Sequence, residues 1–212
     1  MTTRYRLTLL VFFSASLLFL SIARAADNRT YQEGIFRVSV PTTWTRMPPP
    51  MLDEMKKTMV SSGRELARAS KSADPNDISH ETIPFVSGFQ LQDGGRRILL
   101  TFSGVSNPTV MDRDEMYKTN QERVRWGVDT GRLKKTSKGV SKLAVDGVPC
   151  LLQDIETREG GLLQMYSFFV PEYPRMGYSV QIMCDDTSTY NKHAKDLASI
   201  INSITVVRNS QK

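Results

Sequence analysis

Residues 83–105 read IPFVSGFQLQDGGRRILLTFSGV, and this stretch decides the fold class. Two β-rich runs, 83–92 and 96–105, flank the triplet Asp93-Gly94-Gly95. Two such runs joined by a glycine pair predict a β-hairpin, because glycine adopts the positive φ of a tight turn without steric cost. The sequence therefore predicts an antiparallel strand pair near the middle of the chain.

Hairpin signals recur on both sides of this pair, and helical patterns interrupt them. The turns Asp146-Gly147 and Gly160-Gly161 each join two β-rich runs. Helices do not alternate strictly with strands, so the fold class is α+β, a twisted and mainly antiparallel sheet with helices on its faces. The patterns predict about seven strands, at 35–40, 83–92, 96–105, 133–145, 148–157, 162–170 and 178–184 with a short final one at 204–207, and three helices, at 52–69, 112–128 and from about 187 onward.

Local chemistry marks where two of these helices begin. Three prolines at 48–50 predict an extended segment before the first helix. Asp112 begins a capping pattern that continues through Asp114 and Glu115. These acids also suggest calcium, but the stretch lacks the glycine and the closing glutamate of a calcium loop, so helix capping is favoured.

The first 25 residues have the pattern of an export signal. Arg4 and Arg6 precede an almost uninterrupted apolar run at 7–22, and Ala23-Arg24-Ala25 follows it. Charge, a short apolar helix and small residues in this order predict cleavage between Ala25 and Ala26, with an uncleaved N-terminal anchor as the alternative. We therefore predict an exported protein, periplasmic or secreted, whose mature chain is one domain at 26–212. No apolar segment after residue 26 is long enough to span a membrane.

The charge of the mature chain is mild. The formal net charge of +6 falls to +3 when residues 1–25, with three arginines and no acids, are removed. A mildly basic exported protein is not typical of nucleic-acid binding, so we expect no nucleic-acid partner.

Two cysteines, Cys150 and Cys184, lie in the mature chain. An even pair in an oxidising compartment predicts a structural disulfide, and a buried free pair is the alternative. A catalytic redox pair is disfavoured, because the sequence has no C-x-x-C motif.

Three segments together resemble the PsbP-like (Mog/PsbP) family. They are FRVSVPTTW at 36–44, VDGVPC at 145–150 and LASIINSITV at 197–206, and they span nearly all of the mature chain. The resemblance, which is greatest to the exported bacterial members, implies a helix–sheet–helix sandwich that acts as a binding or accessory module. The family has no shared catalytic motif to carry over.

The sequence shows no catalytic constellation and no resident cofactor. His80 and His193 have no metal-ligand partner three or four residues away, and no hydrolase, zinc or phosphate-loop motif is present. We therefore predict a protein that is not an enzyme.

Methionines recur every four residues from Met47 through Met51 and Met55 to Met59. Thioethers suit Cu(I), so Met51, Met55 and Met59 are weak candidates for copper ligands. The favoured interpretation is packing, because prolines 48–50 separate Met47 from the helix and the others fill its apolar stripe.

Lys134, Lys135, Lys138 and Lys142 form a basic run. Such a run can contact anionic lipid or an acidic partner, but it more often lines a solvated edge strand and blocks aggregation. We favour the interpretation that these lysines line an exposed edge strand.

The hypothesis from the whole sequence is an exported, non-enzymatic binding module of the cell envelope that engages a protein partner. The alternatives are a small-ligand or copper carrier, and an enzyme whose site is assembled from distant residues.

Overall fold

The computed structural model describes residues 27–70, 74–106, 112–135 and 137–208. The predicted signal peptide and its cleavage point before Ala26 lie outside these residues, so both stay predictions. Among the described residues, no helix is both long and apolar enough to cross a membrane.

Ten strands and four helices form within the described residues. In chain order they are β1 (Asn28–Glu33), β2 (Phe36–Pro41), β3 (Thr45–Arg46), α1 (Pro49–Ser70), β4 (Phe85–Asp93), β5 (Arg96–Ser106), α2 (Arg113–Asp129), β6 (Gly139–Val145), β7 (Val148–Glu156), β8 (Leu162–Phe168), β9 (Met176–Cys184), α3 (Thr187–Lys192), α4 (Ala194–Asn202) and β10 (Thr205–Val206).

The strands make two antiparallel sheets. The larger has seven strands in the order β3-β4-β5-β9-β8-β7-β6, and the smaller has three in the order β1-β2-β10. The predicted central hairpin is present, with Asp93 paired to Arg96 at its tip. The α+β class predicted from the sequence is confirmed.

The main core lies between the two sheets. Phe36 from β2 packs against Phe168, with ring centroids 5.0 Å apart, and against Phe102, at 5.8 Å. Leu197 and Ile200 of α4 are buried in the same cluster. Burying one such side chain stabilises the fold by roughly 1.5–3 kcal/mol, so this contact fixes the small sheet and α4 on the large sheet.

Helix α2 covers the opposite face of the large sheet at its β6 end. Val124 of α2, Val140 of β6 and Leu151 of β7 form a second buried cluster. Gly127 allows the helix end to approach closely, because a Cβ there would lie 2.7 Å from Leu133 Cδ1. This packing positions both ends of α2 relative to the sheet.

Three predicted boundaries were wrong. Helix α1 begins at Pro49 instead of following an extended proline segment, because proline is tolerated in the first turn, where its missing N–H has no partner to lose. The strand predicted at 133–145 begins only at Gly139, which has a φ of +84°. The last helix is broken at His193 into α3 and α4.

The predicted disulfide is absent, because both cysteines are free and buried. Strand β8 separates their strands, and Cys150 is opposite Phe168 whereas Cys184 is opposite Leu162. Six residues along β8 and two strand spacings put the two Cα atoms more than ~20 Å apart, far beyond the ~7 Å that a disulfide can bridge. Burial raises the pKa of the Cys150 thiol to about 12.

Candidate binding pocket

A pocket of about 370 Å³ lies at one end of the large sheet. The β8–β9 loop, the first residues of β7 and the first turn of α2 surround it. Its volume falls in the range of ligand pockets, roughly 300–1,000 Å³. The lining residues are mostly apolar: Arg113, Pro149, Phe169, Val170, Pro171, Tyr173, Pro174 and Met176.

Backbone hydrogen bonds hold the β8–β9 loop in one shape. The Phe169 N–H donates to the Pro149 carbonyl at 2.9 Å, which ties the loop to β7. Tyr173 N–H donates to the Val170 carbonyl, and Met176 N–H donates to the Tyr173 carbonyl, each at 2.9 Å. Three of the lining residues are prolines, whose fixed φ further reduces the freedom of the walls. The pocket is therefore preformed, and a ligand would not have to order it.

Tyr173 forms one aromatic wall of the pocket, and its ring packs against Tyr178. Its ring meets the Tyr178 ring edge-on, with centroids 6.0 Å apart. Burial of Tyr178, and to a smaller extent its neighbour Tyr173, raises the pKa of the Tyr178 hydroxyl. Tyr178 itself belongs to the main core, so the packing of the core fixes the position of the wall.

Arg113 supplies a positive charge to the pocket. It stands at the first position of α2, directly after Asp112, which accepts a hydrogen bond from the Glu115 N–H at 2.8 Å and caps the helix as predicted. Arg113 Nε lies 3.8 Å from an Asp114 carboxylate oxygen, which is too far for a hydrogen bond. Lys142 holds the same carboxylate oxygen at 2.7 Å, and this hydrogen bond lowers the pKa of Asp114. Among the described residues no acceptor lies within hydrogen-bond distance of the Arg113 guanidinium, so its donors can serve a ligand.

The methionines lie elsewhere. Met47 is buried outside the helix, with its N–H on the Gly88 carbonyl. Met51, Met55 and Met59 are half-buried along α1 and do not line the pocket. Among the described residues, no group of three or more His, Cys, Asp or Glu side chains could hold a metal ion. Copper binding by the methionines stays an untested prediction.

The two histidines are also distant from the pocket. His80 lies exposed in a 3-10 turn. His193 is 16% exposed at the α3–α4 junction, and its Nε2 is 2.9 Å from Asp93 Oδ2. The pKa of Asp93 is lowered, mainly by its hydrogen bond from Lys192 and then by His193. This cluster fastens the tip of the β4–β5 hairpin to the helix junction.

Three of the four lysines in the basic run are paired with acids. Lys134 contacts Glu156 at 2.5 Å, Lys138 contacts Asp154 at 3.5 Å, and Lys142 contacts Asp114 at 2.7 Å. Strand β6 is an edge strand, as the favoured interpretation requires, but of the four lysines only Lys142 belongs to it. Most of the run therefore fastens the loop before β6 to the protein.

Sequence reasoning missed a buried polar cluster on the core side of the sheet. Asp154 Oδ2 accepts a hydrogen bond from Gln164 Nε2 at 3.0 Å, and the Tyr190 hydroxyl donates to Gln164 Oε1 at 3.1 Å. Nearby, burial raises the pKa of Tyr166 to about 12. Because its members are paired with one another, the cluster positions α3 on the sheet.

Sequence reasoning also missed the pocket itself. The stretch at 171–177 lies between two predicted strands, and its two prolines and Tyr173 are the signal that could have indicated a rigid aromatic wall. Arg113 lies within the capping pattern that begins at Asp112, and that pattern gives no sign of a pocket. Only the fold brings these residues together, because sixty positions separate Arg113 from Tyr173 in the chain.

Comparisons with known proteins gave no sequence match and a structural similarity. No family model matches it, and no curated protein matches its sequence. Among solved structures, it is similar to the crystal structure of LpqN, which is involved in cell envelope biogenesis of Mycobacterium tuberculosis. The identity is 11%, the match covers 87% of this chain and 88% of that chain, and the TM-score is 0.47. The PsbP-like resemblance stays a prediction.

Proposed function

We propose that the protein is an exported, non-enzymatic binding module of the cell envelope, and that the pocket beside Arg113 receives an apolar side chain of a protein partner. One observation carries the proposal. The pocket is preformed, mostly apolar and bounded by rigid proline-containing walls. Export rests on the signal pattern at residues 1–25.

The chemistry of the lining supports binding over catalysis. Its polar side chains are the guanidinium of Arg113 and the phenol of Tyr173. A guanidinium orients a carboxylate through paired hydrogen bonds, and a tyrosine ring gives contact area with one polar end. The described lining residues include no serine, cysteine, histidine or carboxylate, which are the commonest nucleophiles and bases of hydrolytic sites.

The same composition supports a protein partner over a free small molecule. Tyrosine and arginine are enriched where a few residues carry most of the energy of a protein interface. Pro171 and Pro174 are exposed at the rim, beside exposed Glu172 and Arg175. A rim that is polar around an apolar centre is the arrangement that such interfaces share. A partner with an apolar side chain close to a carboxylate would fit both the walls and Arg113.

Site-specific photocrosslinking in living cells tests the proposal. A benzophenone amino acid replaces Tyr173 in one strain and exposed Ser199 of α4 in a matched control strain. We expect a discrete protein adduct from position 173 that is missing from position 199. The absence of any protein adduct at 173, or the same adducts at both positions, would overturn the proposal. An adduct with a small molecule alone would identify a ligand carrier instead.

A further inference from the structure

Trp126 is the large apolar side chain that stays exposed among the described residues, at 54%. The other tryptophan of the chain, Trp44, is 4% exposed in the main core. The Trp126 ring is also covered on one side by Arg132, whose guanidinium carbon is 4.5 Å from the ring centroid. An exposed tryptophan forgoes the stabilisation of burial, and an indole that lies against a guanidinium combines apolar area with positive charge on one surface.

The backbone around Trp126 is firmly held even though its ring points outward. The Thr130 hydroxyl and N–H both donate to the Trp126 carbonyl, at 2.8 and 2.9 Å. Gly127, the next residue, is buried against Leu133. Trp126 does not belong to the buried cluster under α2, so it does not serve the packing of the helix.

Further basic residues lie near Trp126 along the backbone. Arg123 stands one helical turn before Trp126, and the Arg158 N–H donates to the Arg132 carbonyl at 3.1 Å. Lys135 follows in the same loop and is exposed. Within the described part of the chain, none of these four cations forms an ion pair with an acid, whereas Arg125 faces Asp129 at 3.8 Å. With Arg125 there are five cations in this part of the chain, and the neighbouring acids are Glu122, Asp129 and Glu159, so the local charge is positive by two.

We propose that Arg123, Trp126, Arg132, Lys135 and Arg158, the tryptophan surface, dock reversibly on a membrane rich in anionic phospholipid. An indole ring suits the headgroup layer, because one part is apolar and its N–H remains hydrogen-bonded. Guanidinium groups bind phosphate through paired hydrogen bonds, and the Arg132 guanidinium lies directly against the ring. The residues of this surface line neither the pocket beside Arg113 nor the one between Lys118 and Val140, so the exposed ring suits partition into a lipid layer better than capture of a side chain.

This inference is independent of the proposed function. Trp126 follows Arg113 by thirteen positions in helix α2, which corresponds to ~20 Å along the axis. A protein docked through the tryptophan surface would therefore keep its pocket free for a partner.

Binding of the exported protein to vesicles tests the inference. Vesicles of phosphatidylcholine with 30% phosphatidylglycerol, at millimolar lipid, should sediment the protein and shift its tryptophan emission to the blue. Pure phosphatidylcholine should do neither, and high salt should reverse the binding because it screens the cations. In Trp126→Phe the remaining emission comes from buried Trp44 and should not shift.

Variants separate the tryptophan surface from general charge. Arg132→Gln and Arg158→Gln should each weaken sedimentation about fivefold, the effect of one cation near an anionic membrane. Lys195→Gln, which removes an exposed charge from α4, is the matched control and should change it much less. Trp126→Ala should abolish most of the binding, with the Trp44 emission spectrum confirming that the variant is folded.

Three results would overturn the inference. They are no sedimentation of the wild-type protein with anionic vesicles, equal sedimentation with neutral vesicles, and a Trp126→Ala variant that binds as the wild-type protein does. Crosslinking from position 126 to a protein in cells, without vesicle binding, would assign the surface to a protein partner instead.

Discussion

An arginine and an aromatic ring occur together near each end of helix α2, but in different settings. At the first turn, Arg113 lines a cavity with Tyr173 and three prolines. Past the last turn, Arg132 stacks on Trp126 in the open. A cavity with fixed walls selects a partner by shape, whereas an open ring among cations selects a surface by charge and polarity. One helix can therefore carry two kinds of recognition.

The largest loss of stability is expected from weakening the buried packing beneath α2, which supports both ends of the helix. Leu151 is 1% exposed beneath α2, so Leu151→Ala should lower the free energy of unfolding by about 2–5 kcal/mol through lost burial and a residual cavity. Urea denaturation followed by tryptophan emission measures this loss. Partner crosslinking and vesicle binding should both weaken. If only one of them weakened, α2 would not be the common support of the two sites.

A substitution at Gly127 should cost less stability and should affect only the end of α2 that carries Trp126. A methyl group on Gly127 would crowd Leu133, with 2.7 Å between the new Cβ and Leu133 Cδ1. Overpacking of this kind costs about 1–3 kcal/mol, and the gain in helix propensity offsets up to about 1 kcal/mol of it. Gly127→Ala should therefore be destabilised by about 1 kcal/mol in urea and should bind vesicles less well. Unchanged crosslinking at position 173 serves as the control, and equal loss at both ends would contradict the separation.

Lys142 should affect how freely Arg113 binds a negative group at the pocket, because it holds the carboxylate of Asp114, the residue next to Arg113. Lys142 holds Asp114 at 2.7 Å, away from Arg113. In Lys142→Gln the freed carboxylate should compete for the Arg113 guanidinium and weaken partner binding about twofold, as expected for an exposed ion pair of about 0.5 kcal/mol. The dissociation constant of the partner measures it. Tighter binding in this variant would show that Arg113 does not meet a negative group.

The smallest loss of stability is expected from a substitution at Asp93, which lies at the tip of the β4–β5 hairpin and not on α2. Its folded pKa is lowered by Lys192 and His193, so the contribution of Asp93 to stability is present above its unfolded pKa, near 4, and is lost as the pH falls through the lower folded value. Asp93→Asn should therefore be less stable than the wild-type protein at pH 7 and equally stable in strong acid. Thermal unfolding at both pH values measures this, and a difference that persisted in acid would refute the assignment.

What the sequence could predict was local. The glycine turn after Asp93 and the cap at Asp112 depend on residues within four positions, and both formed as predicted. The disulfide failed because strand order is not local. Cys150 and Cys184 are both on strands of one sheet, but β8 lies between those strands and the register separates the thiols further.

The pocket could not be predicted for the same reason. Arg113 and Tyr173 line one pocket only because α2 packs on β6 and β7 while the β8–β9 loop bonds to Pro149. Trp126 gave no signal either, because a tryptophan in a helical pattern is usually assigned to the core. Exposure of that ring depends on how much of the sheet α2 covers, which a single sequence does not encode in any short pattern.

The most direct measurement is the dissociation constant of the partner recovered by crosslinking, compared between Tyr173→Ala and Trp126→Ala. The account predicts that Tyr173→Ala weakens binding by about thirtyfold, the 2 kcal/mol typical of a central interface residue, and that Trp126→Ala leaves it unchanged. Equal losses in both variants, or a loss confined to Trp126→Ala, would contradict the claim that the pocket is the partner site.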